Sequence, residues 1–318
     1  MTDSAGRQVE LPPAIDRVVA AGPPASILLY TLAPEKMVGW ASEPHPDEKE
    51  FLSSPIRDLP VYGRLTGRGG TANIENILRF KPDVIIDVGS TSQTYVSLAN
   101  NTQAQIGVPY LLFDGRLSST AATYRALGKA LGVEARAEEL ARYSEQLLDG
   151  VASRLAGLPP SERSRVYYGR GPDGLQTGLE GSINLEALDY VGAYNVASAA
   201  GKGGLTQVSI EQVLSWDPDV ILTFDAGFYR SVKTDPLWAQ TKAVRNGRVY
   251  KAPSLPFGWF DSPPGVNRLI GIRWLAGLLH PARFPDSIEP AVRDFYARFY
   301  HVDLSEAQLA ALLEATRP

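Results

Sequence analysis

One pattern occurs twice in this chain, and it constrains the fold more than any other feature. The segment Ile74-Glu75-Asn76-Ile77-Leu78-Arg79-Phe80-Lys81-Pro82-Asp83-Val84-Ile85-Ile86 returns as Ile210-Glu211-Gln212-Val213-Leu214-Ser215-Trp216-Asp217-Pro218-Asp219-Val220-Ile221-Leu222, at a constant offset of 136 residues. A glycine-rich loop precedes each copy, Gly67-Arg68-Gly69-Gly70 and Gly201-Lys202-Gly203-Gly204. Apolar residues at i, i+3 and i+4 predict a short amphipathic helix, Pro-Asp stops it, and Val84-Ile85-Ile86 or Val220-Ile221-Leu222 follows as a buried strand. A helix feeding a wholly apolar strand is half of an α/β unit with a parallel sheet. Both halves also open alike, with Arg17-Val18-Val19-Ala20-Ala21-Gly22-Pro23 and Arg165-Val166-Tyr167-Tyr168-Gly169-Arg170-Gly171 each reading as a strand that runs into a glycine loop. The predicted class is α/β, with two similar lobes built on central parallel sheets. Ligands of open α/β sheets bind beyond the carboxyl ends of the strands, so these loops are expected to face a ligand cleft between the lobes.

Between the halves, Leu140, Tyr143, Leu147, Leu148, Val151 and Leu155 form a helical stripe from Glu134 to Leu158, closed by Gly157-Leu158-Pro159-Pro160. Such a helix runs roughly 35 Å, about a domain diameter. It reads either as a crossover helix within one domain or as a strut joining two lobes, and its place at the middle of the duplication favours the strut. The expected organisation is an N-terminal α/β lobe over 1–125, a linking helix region over 126–160, and a C-terminal α/β lobe over 161–318 whose last helices, from about 285, cover the second lobe.

Composition removes several function classes. Lys+Arg 31 against Asp+Glu 35 gives a net charge of -4, which lacks the electrostatic footprint of a polyanion binder, so nucleic acid is not an expected partner. The chain has no cysteine and only three scattered histidines, His45, His280 and His301; a bare metal site and a resident cofactor are not expected. No stretch approaches the ~20 apolar residues of a membrane span. The opening Met1-Thr2-Asp3-Ser4-Ala5-Gly6-Arg7 is polar and carries no leader, so an exported protein would be in its mature form. Catalytic signatures are missing too: there is no Gly-x-Ser-x-Gly elbow, no His-Glu-x-x-His and no P-loop. Gly169-Arg170-Gly171-Pro172-Asp173-Gly174 spells the dinucleotide fingerprint after a predicted strand, but that fold needs a helix beginning inside the motif, whereas Pro172-Asp173-Gly174-Leu175-Gln176-Thr177-Gly178 reads as turn and loop. The chain is therefore not expected to be an enzyme. A two-domain α/β enzyme acting on a small anion is the alternative, since acid and base need only spatial proximity.

Taken together, the Thr2-Asp3-Ser4-Ala5-Gly6-Arg7 opening, the Arg17-Val18-Val19 strand, Asn73-Ile74-Glu75 through Ile86, the mid-chain helix and Ser209-Ile210-Glu211-Gln212-Val213-Leu214 resemble the helix-linked substrate-binding proteins of ABC importers. The resemblance covers nearly the whole chain. It implies a periplasmic or otherwise exported monomer that delivers a ferric siderophore, haem, cobalamin, molybdate or tungstate to a membrane permease. It also implies that Glu75 and Glu211, one per lobe, dock onto permease arginines; unassisted, either would read as a solvated first-turn residue favoured by the helix dipole. In the family an aromatic stretch packs on the chelate at the second lobe's cleft, and the matching segment here is Pro256-Phe257-Gly258-Trp259-Phe260-Asp261-Ser262-Pro263-Pro264. Its glycine and prolines put Trp259 and Phe260 on a loop, which favours exposure; the competing reading is that they seal the helix starting near Val266.

Arginines recur on the glycine loops expected to face the cleft: Arg64, Arg68 and Arg170. A planar, permanently charged fork suits the carboxylate or oxyanion groups of an anionic ligand. Tyr168 and Tyr229 could add stacking or a phenol, and Thr91 and Ser92 could add hydroxyls. The expected ligand is a ferric siderophore or similar anionic metal chelate, iron being the first choice of metal, with molybdate or tungstate, haem and cobalamin as alternatives.

Overall fold

The computed structural model describes residues 1–67 and 73–314, and its contacts divide the chain into two units. Unit one holds Met1–Gln146, Pro263–Val266 and Arg293–Asp303; unit two holds Leu147–Ser262, Asn267–Val292 and the chain from Leu304 onward.

Unit one is built on a parallel sheet of β1 (Val18–Ala20), β2 (Val84–Gly89) and β3 (Tyr110–Asp114), in the order β1-β2-β3. Val19 lies opposite Ile85, and Ile85 opposite Tyr110. Single parallel bridges, Val18 to Met37 and Trp40 to Val61, extend the sheet beyond β1. Every residue of Val84–Val88 is buried, as expected of a central strand covered on both faces. Helix Pro23–Leu32 begins with proline at its first positions and is buried from Ala25 to Leu32.

Unit two repeats this scheme with one more strand. β4 (Arg165–Tyr168), β6 (Tyr194–Asn195), β8 (Val220–Thr223) and β9 (Val249–Lys251) form a parallel sheet in the order β6-β4-β8-β9. A separate antiparallel pair joins β5 (Gln176–Gly178) to β7 (Leu205–Gln207).

The duplication reaches the hydrogen bonds. Helices Ile74–Arg79 and Ile210–Trp216 are each capped by the preceding side chain, Asn73 and Ser209. Each runs into a left-handed residue, Lys81 (φ 45°) and Asp217 (φ 42°), that turns the chain into Pro-Asp. In both units the arginine that opens the first strand donates to the end of that helix, Arg17 to the Phe80 carbonyl and Arg165 to the Trp216 carbonyl, each at 2.8 Å. The aspartate of Pro-Asp returns the contact: Asp83 accepts from the Arg17 amide at 2.8 Å and Asp219 from the Arg165 amide at 3.2 Å.

The mid-chain helix spans Glu134–Leu155, 22 residues, or about 33 Å. The division between the units falls inside it, after Gln146. One expectation is corrected. The last helices, expected from sequence to cover the second lobe alone, are divided: Arg293–Asp303 belongs to unit one. The cause is an aromatic-rich run that needs apolar partners: Phe299 packs edge-on against Tyr124 and Tyr143, and the Tyr30 hydroxyl donates to the Tyr300 carbonyl.

Candidate functional site

Strand β4 delivers the side chains of interest in unit two. Its last residue, Tyr168, is fully buried. The amide of Gly169 still donates to the Leu222 carbonyl at 2.9 Å, and Arg170 stands one residue beyond. The turn that follows is tight for steric reasons. A Cβ on Gly169 would lie 2.7 Å from the Phe228 ring, and one on Gly174 (φ +70°) only 2.2 Å from it. Arg170 and Gln176 exchange backbone hydrogen bonds of 2.8 and 3.3 Å, so the glycine fingerprint forms a loop leading into β5. No helix starts there, which agrees with the sequence argument against a dinucleotide site.

Against this turn lies the loop Pro253–Ser262. Trp259 donates from its amide to the Pro253 carbonyl at 2.9 Å, and Gly258 to the Ser262 carbonyl at 2.9 Å. Gly271, inside helix Arg268–Leu279, lets the loop press onto the helix: a Cβ there would sit 1.6 Å from the Trp259 carbonyl oxygen. The expected exposure of the aromatic stretch is overturned as a result. Trp259 is 0% exposed and Phe260 1%, with the Phe260 ring 4.4 Å from that of Tyr168. Glycine and proline mark a loop, but a loop laid on a glycine-faced helix is interior.

The same loop presents Asp261, 2% exposed. The Tyr168 hydroxyl donates to its Oδ2 at 3.1 Å, and the Asn184 amide donates to Oδ1. Arg170 Nε stands 3.2 Å from Oδ2, close enough for an ion pair but misaligned for a hydrogen bond. Nε and Nη1 of Arg170 are both buried and have no hydrogen-bond acceptor among the described residues; the guanidinium also covers the Phe224 ring at 5.5 Å. Another arginine, Arg268, is buried; it is neutralised by Glu186 at 2.9 Å and donates to the Ile183 carbonyl at 3.0 Å. Burial raises Asp261 above the usual carboxylate range, against the opposing pull of Arg170 and of the Asn184 and Tyr168 hydrogen bonds. Burial, reinforced by the charge of Asp261, pushes the Tyr168 phenol far up.

Chemically this is a charge-balanced pair of a buried carboxylate and a guanidinium whose side chain is 15% exposed, and whose buried donors are not all used. A buried N–H without an acceptor costs about 1–3 kcal/mol, and a guanidinium with open donors is a receptor for an oxyanion. Asp261, Asn184, Arg268 and Glu186 were not singled out from sequence. The readable signals were a lone acid inside an aromatic-proline segment, and an arginine at the head of a helix that is apolar but for Arg273.

The other candidates scatter. Arg64 is half-buried in unit one, and Arg68 lies outside the described residues. Thr91 is half-buried and Ser92 exposed after the end of β2; Ser92 occupies the cap position of helix Gln93–Ile106 without a side-chain capping bond. Tyr229 is half-buried on helix Ala226–Ser231, with Lys233 Nζ donating to its hydroxyl at 2.9 Å and lying 4.1 Å from its ring centre. The structure thus brings together Arg170, Tyr168 and Phe260 from the expected set, and not Tyr229. Glu75 and Glu211 are exposed and occupy the same second position of their helices. Hydrogen bonds from its own amide and from Ser209 hold Glu211 below the usual carboxylate range. Among the described residues no group of three His, Asp or Glu side chains could hold a metal ion.

A family model described as a periplasmic binding protein matches residues 28–255. The molybdate-binding protein MolA of Haemophilus influenzae is 28% identical, over 94% of this chain and 90% of its own length. The Fe(3+)-citrate-binding protein YfmC of Bacillus subtilis is 27% identical, over 65% of this chain and 64% of its own. Among solved structures, an ABC transporter solute binding protein from Sulfurospirillum deleyianum is 33% identical, with a TM-score of 0.88 covering 99% of this chain and 98% of that one.

Proposed function

The chain belongs to the periplasmic binding protein family, as a solute-binding protein of an ABC transporter, and we propose that its ligand is a small oxyanion of the molybdate type received by Arg170. The carrying observation is the guanidinium of Arg170, with two buried nitrogens that no acceptor of the described protein satisfies. The molybdate-binding relative supports this reading because its similarity runs over nearly the full length of both chains. The burial of Trp259 and Phe260 weighs in the same direction, because a bulky chelate needs exposed aromatic faces to pack on. A ferric carboxylate chelate, or a ferric siderophore of comparable charge, is the second reading. It is favoured by the Fe(3+)-citrate-binding relative, and its carboxylates would meet the same fork.

In this reading the protein works as a monomer outside the cytoplasm and catalyses nothing. It captures the anion and passes it to the permease, against which Glu75 and Glu211 dock.

The test is a calorimetric titration with molybdate, tungstate, sulfate, ferric citrate, ferric hydroxamate and catecholate chelates, haemin and cobalamin. Two charge-assisted hydrogen bonds at about 1.5 kcal/mol each make Arg170→Ala about 100-fold weaker for the true ligand. Arg170→Lys restores charge without the fork and stays about tenfold weak. Wild-type affinity in the alanine variant would refute the assignment.

A further inference from the structure

The site's second member does more than balance charge, and the inference drawn from it rests on the oxyanion reading above. We propose that capture of the anion by Arg170 is coupled to uptake of one proton from solvent by Asp261, so that the site exchanges its internal counter-ion for the ligand.

The geometry leaves few alternatives. In the structure Asp261 is the buried partner of Arg170 at 3.2 Å. An oxyanion hydrogen-bonded to the remaining guanidinium nitrogens at about 2.8 Å stands within roughly 6 Å of that carboxylate, across a single planar cation. Two anions so placed away from water do not both keep their charge; the nearby like charge drives the carboxyl toward its neutral form. Charged and titratable groups face Asp261 from each element packed against it. Tyr168 comes from the end of β4, and Arg170 from the turn beyond. Arg268, from helix Arg268–Leu279, is already neutralised by Glu186 of helix Glu186–Tyr190. The turn at Ile183–Leu185 contributes only the Asn184 amide, which is uncharged. Arg170 is thus the one nearby cation without a second carboxylate among the described residues, and it is the cation the ligand takes.

The remaining contacts accept a neutral Asp261. Its value already lies above the ordinary one because of burial. Once protonated, the carboxyl keeps a carbonyl-type oxygen to accept from Asn184 or Tyr168, and its new O–H points a donor at the ligand or at the Tyr168 oxygen. The proton balance is simple: one O–H bond forms on Asp261, the proton comes from solvent, and nothing is oxidised or reduced. The functional result is an affinity that rises as the pH falls. The gain reaches up to about tenfold per pH unit between the free and loaded titration points of Asp261.

The experiment is titration of the full chain with molybdate at several pH values between about 6 and 8, in pairs of buffers that differ in ionisation enthalpy, so that the slope of apparent heat against buffer enthalpy counts protons. The expected result is uptake of up to one proton per anion in wild type, and binding by Asp261→Asn with no uptake and a flat pH profile. The wild-type slope shows by itself whether a proton is taken. Should the Asn variant not fold, Asn184→Ala removes a donor that keeps Asp261 ionised and moves the uptake window to higher pH. Saturable binding without proton uptake, or uptake that persists in Asp261→Asn, would overturn this inference and leave the oxyanion reading standing. Absence of saturable molybdate binding at every pH would overturn the reading beneath it as well.

Discussion

Replacing Gly271 by alanine tests whether the site depends on a loop pressed against a helix. Two effects oppose each other. Inside helix Arg268–Leu279 an alanine is favoured over glycine by about 1 kcal/mol. Its Cβ, however, would lie 1.6 Å from the Trp259 carbonyl oxygen and 2.5 Å from the carbonyl carbon, so loop or helix must retreat by roughly 2 Å to reach ordinary contact. The obstacle is backbone. It is pinned by the buried Trp259 indole, by the Trp259 to Pro253 and Gly258 to Ser262 hydrogen bonds, and by the Asn267 amide on the Gly258 carbonyl. Overpacking of this kind costs about 3 kcal/mol, the upper part of the usual range, because no side chain can swing away. The net loss is about 2 kcal/mol, or about 4–8 °C in the melting temperature of a unit this size. Thermal unfolding followed by the near-ultraviolet tryptophan signal reads it. The same displacement carries Asp261 away from Arg170, so anion affinity should fall with stability. A Gly271→Ala protein that melts at or above wild type would mean that helix propensity wins, and the account of why the aromatic loop is interior would be wrong.

Three further outcomes follow from particular residues. Changing Glu75 and Glu211 together to glutamine should abolish transport in cells while leaving solution affinity for the ligand intact; unchanged transport removes the docking assignment. Asp83→Ala should cost about 1–2 kcal/mol in urea unfolding, because its Oδ2 accepts from the amides of Asp16 and Arg17, each at 2.8 Å. Asp219→Ala should cost less, since its bond to the Arg165 amide is 3.2 Å long; the reverse order would contradict the parallel drawn between the repeats. Burial raises Asp87 above its ordinary value, opposed by hydrogen bonds from Tyr110, Thr66 and the Val88 amide. A carboxyl raised on folding contributes stability below its unfolded value and loses it as the pH rises through the folded one. Asp87→Asn should therefore flatten the fall in stability from about pH 4 upward, and an unaltered slope there would count against it.

Much of the scaffold was legible because the duplication repeats its causes as well as its residues. The apolar triplets Val84-Ile85-Ile86 and Val220-Ile221-Leu222 had to be central strands, and the capped short helices before them had to turn sharply at Pro-Asp. The glycine fingerprint at Gly169 is legible as a loop because Pro172, Asp173 and Gly174 inside it are poor helix formers. Two features were not legible for a common reason: each depends on a partner distant in sequence. Trp259 is interior only because Gly271 clears a path for its backbone. The stretch Phe295–Tyr300 joins unit one only because Tyr30, Tyr124 and Tyr143 offer it aromatic surface. In hindsight an unexplained glycine between Ile270 and Ile272, inside an apolar helix, was the sign of a close backbone approach.

Where the repeats disagree is more informative than where they match. Ala21 and Gly169 make the same bond, to the carbonyls of Ile86 and Leu222 at 2.8 and 2.9 Å, so the residue after each stands at an equivalent strand end. In unit one that residue is Gly22, which opens a buried helix starting with Pro23; in unit two it is Arg170, held in a turn that cannot become helical. The preceding pair differs in the same sense. Ala20 has its amide satisfied by the Tyr62 hydroxyl at 2.8 Å, whereas Tyr168 spends its own hydroxyl on Asp261. Packing therefore constrains the repeat at Arg17 and Arg165, at Asp83 and Asp219, and at the left-handed Lys81 and Asp217, while the strand end itself is free to diverge. At that strand end unit two carries a guanidinium with two buried nitrogens that no acceptor of the described residues satisfies, where unit one carries a glycine that opens a helix. Arg170 is proposed to receive the ligand on this difference between the repeats as well as on its open donors.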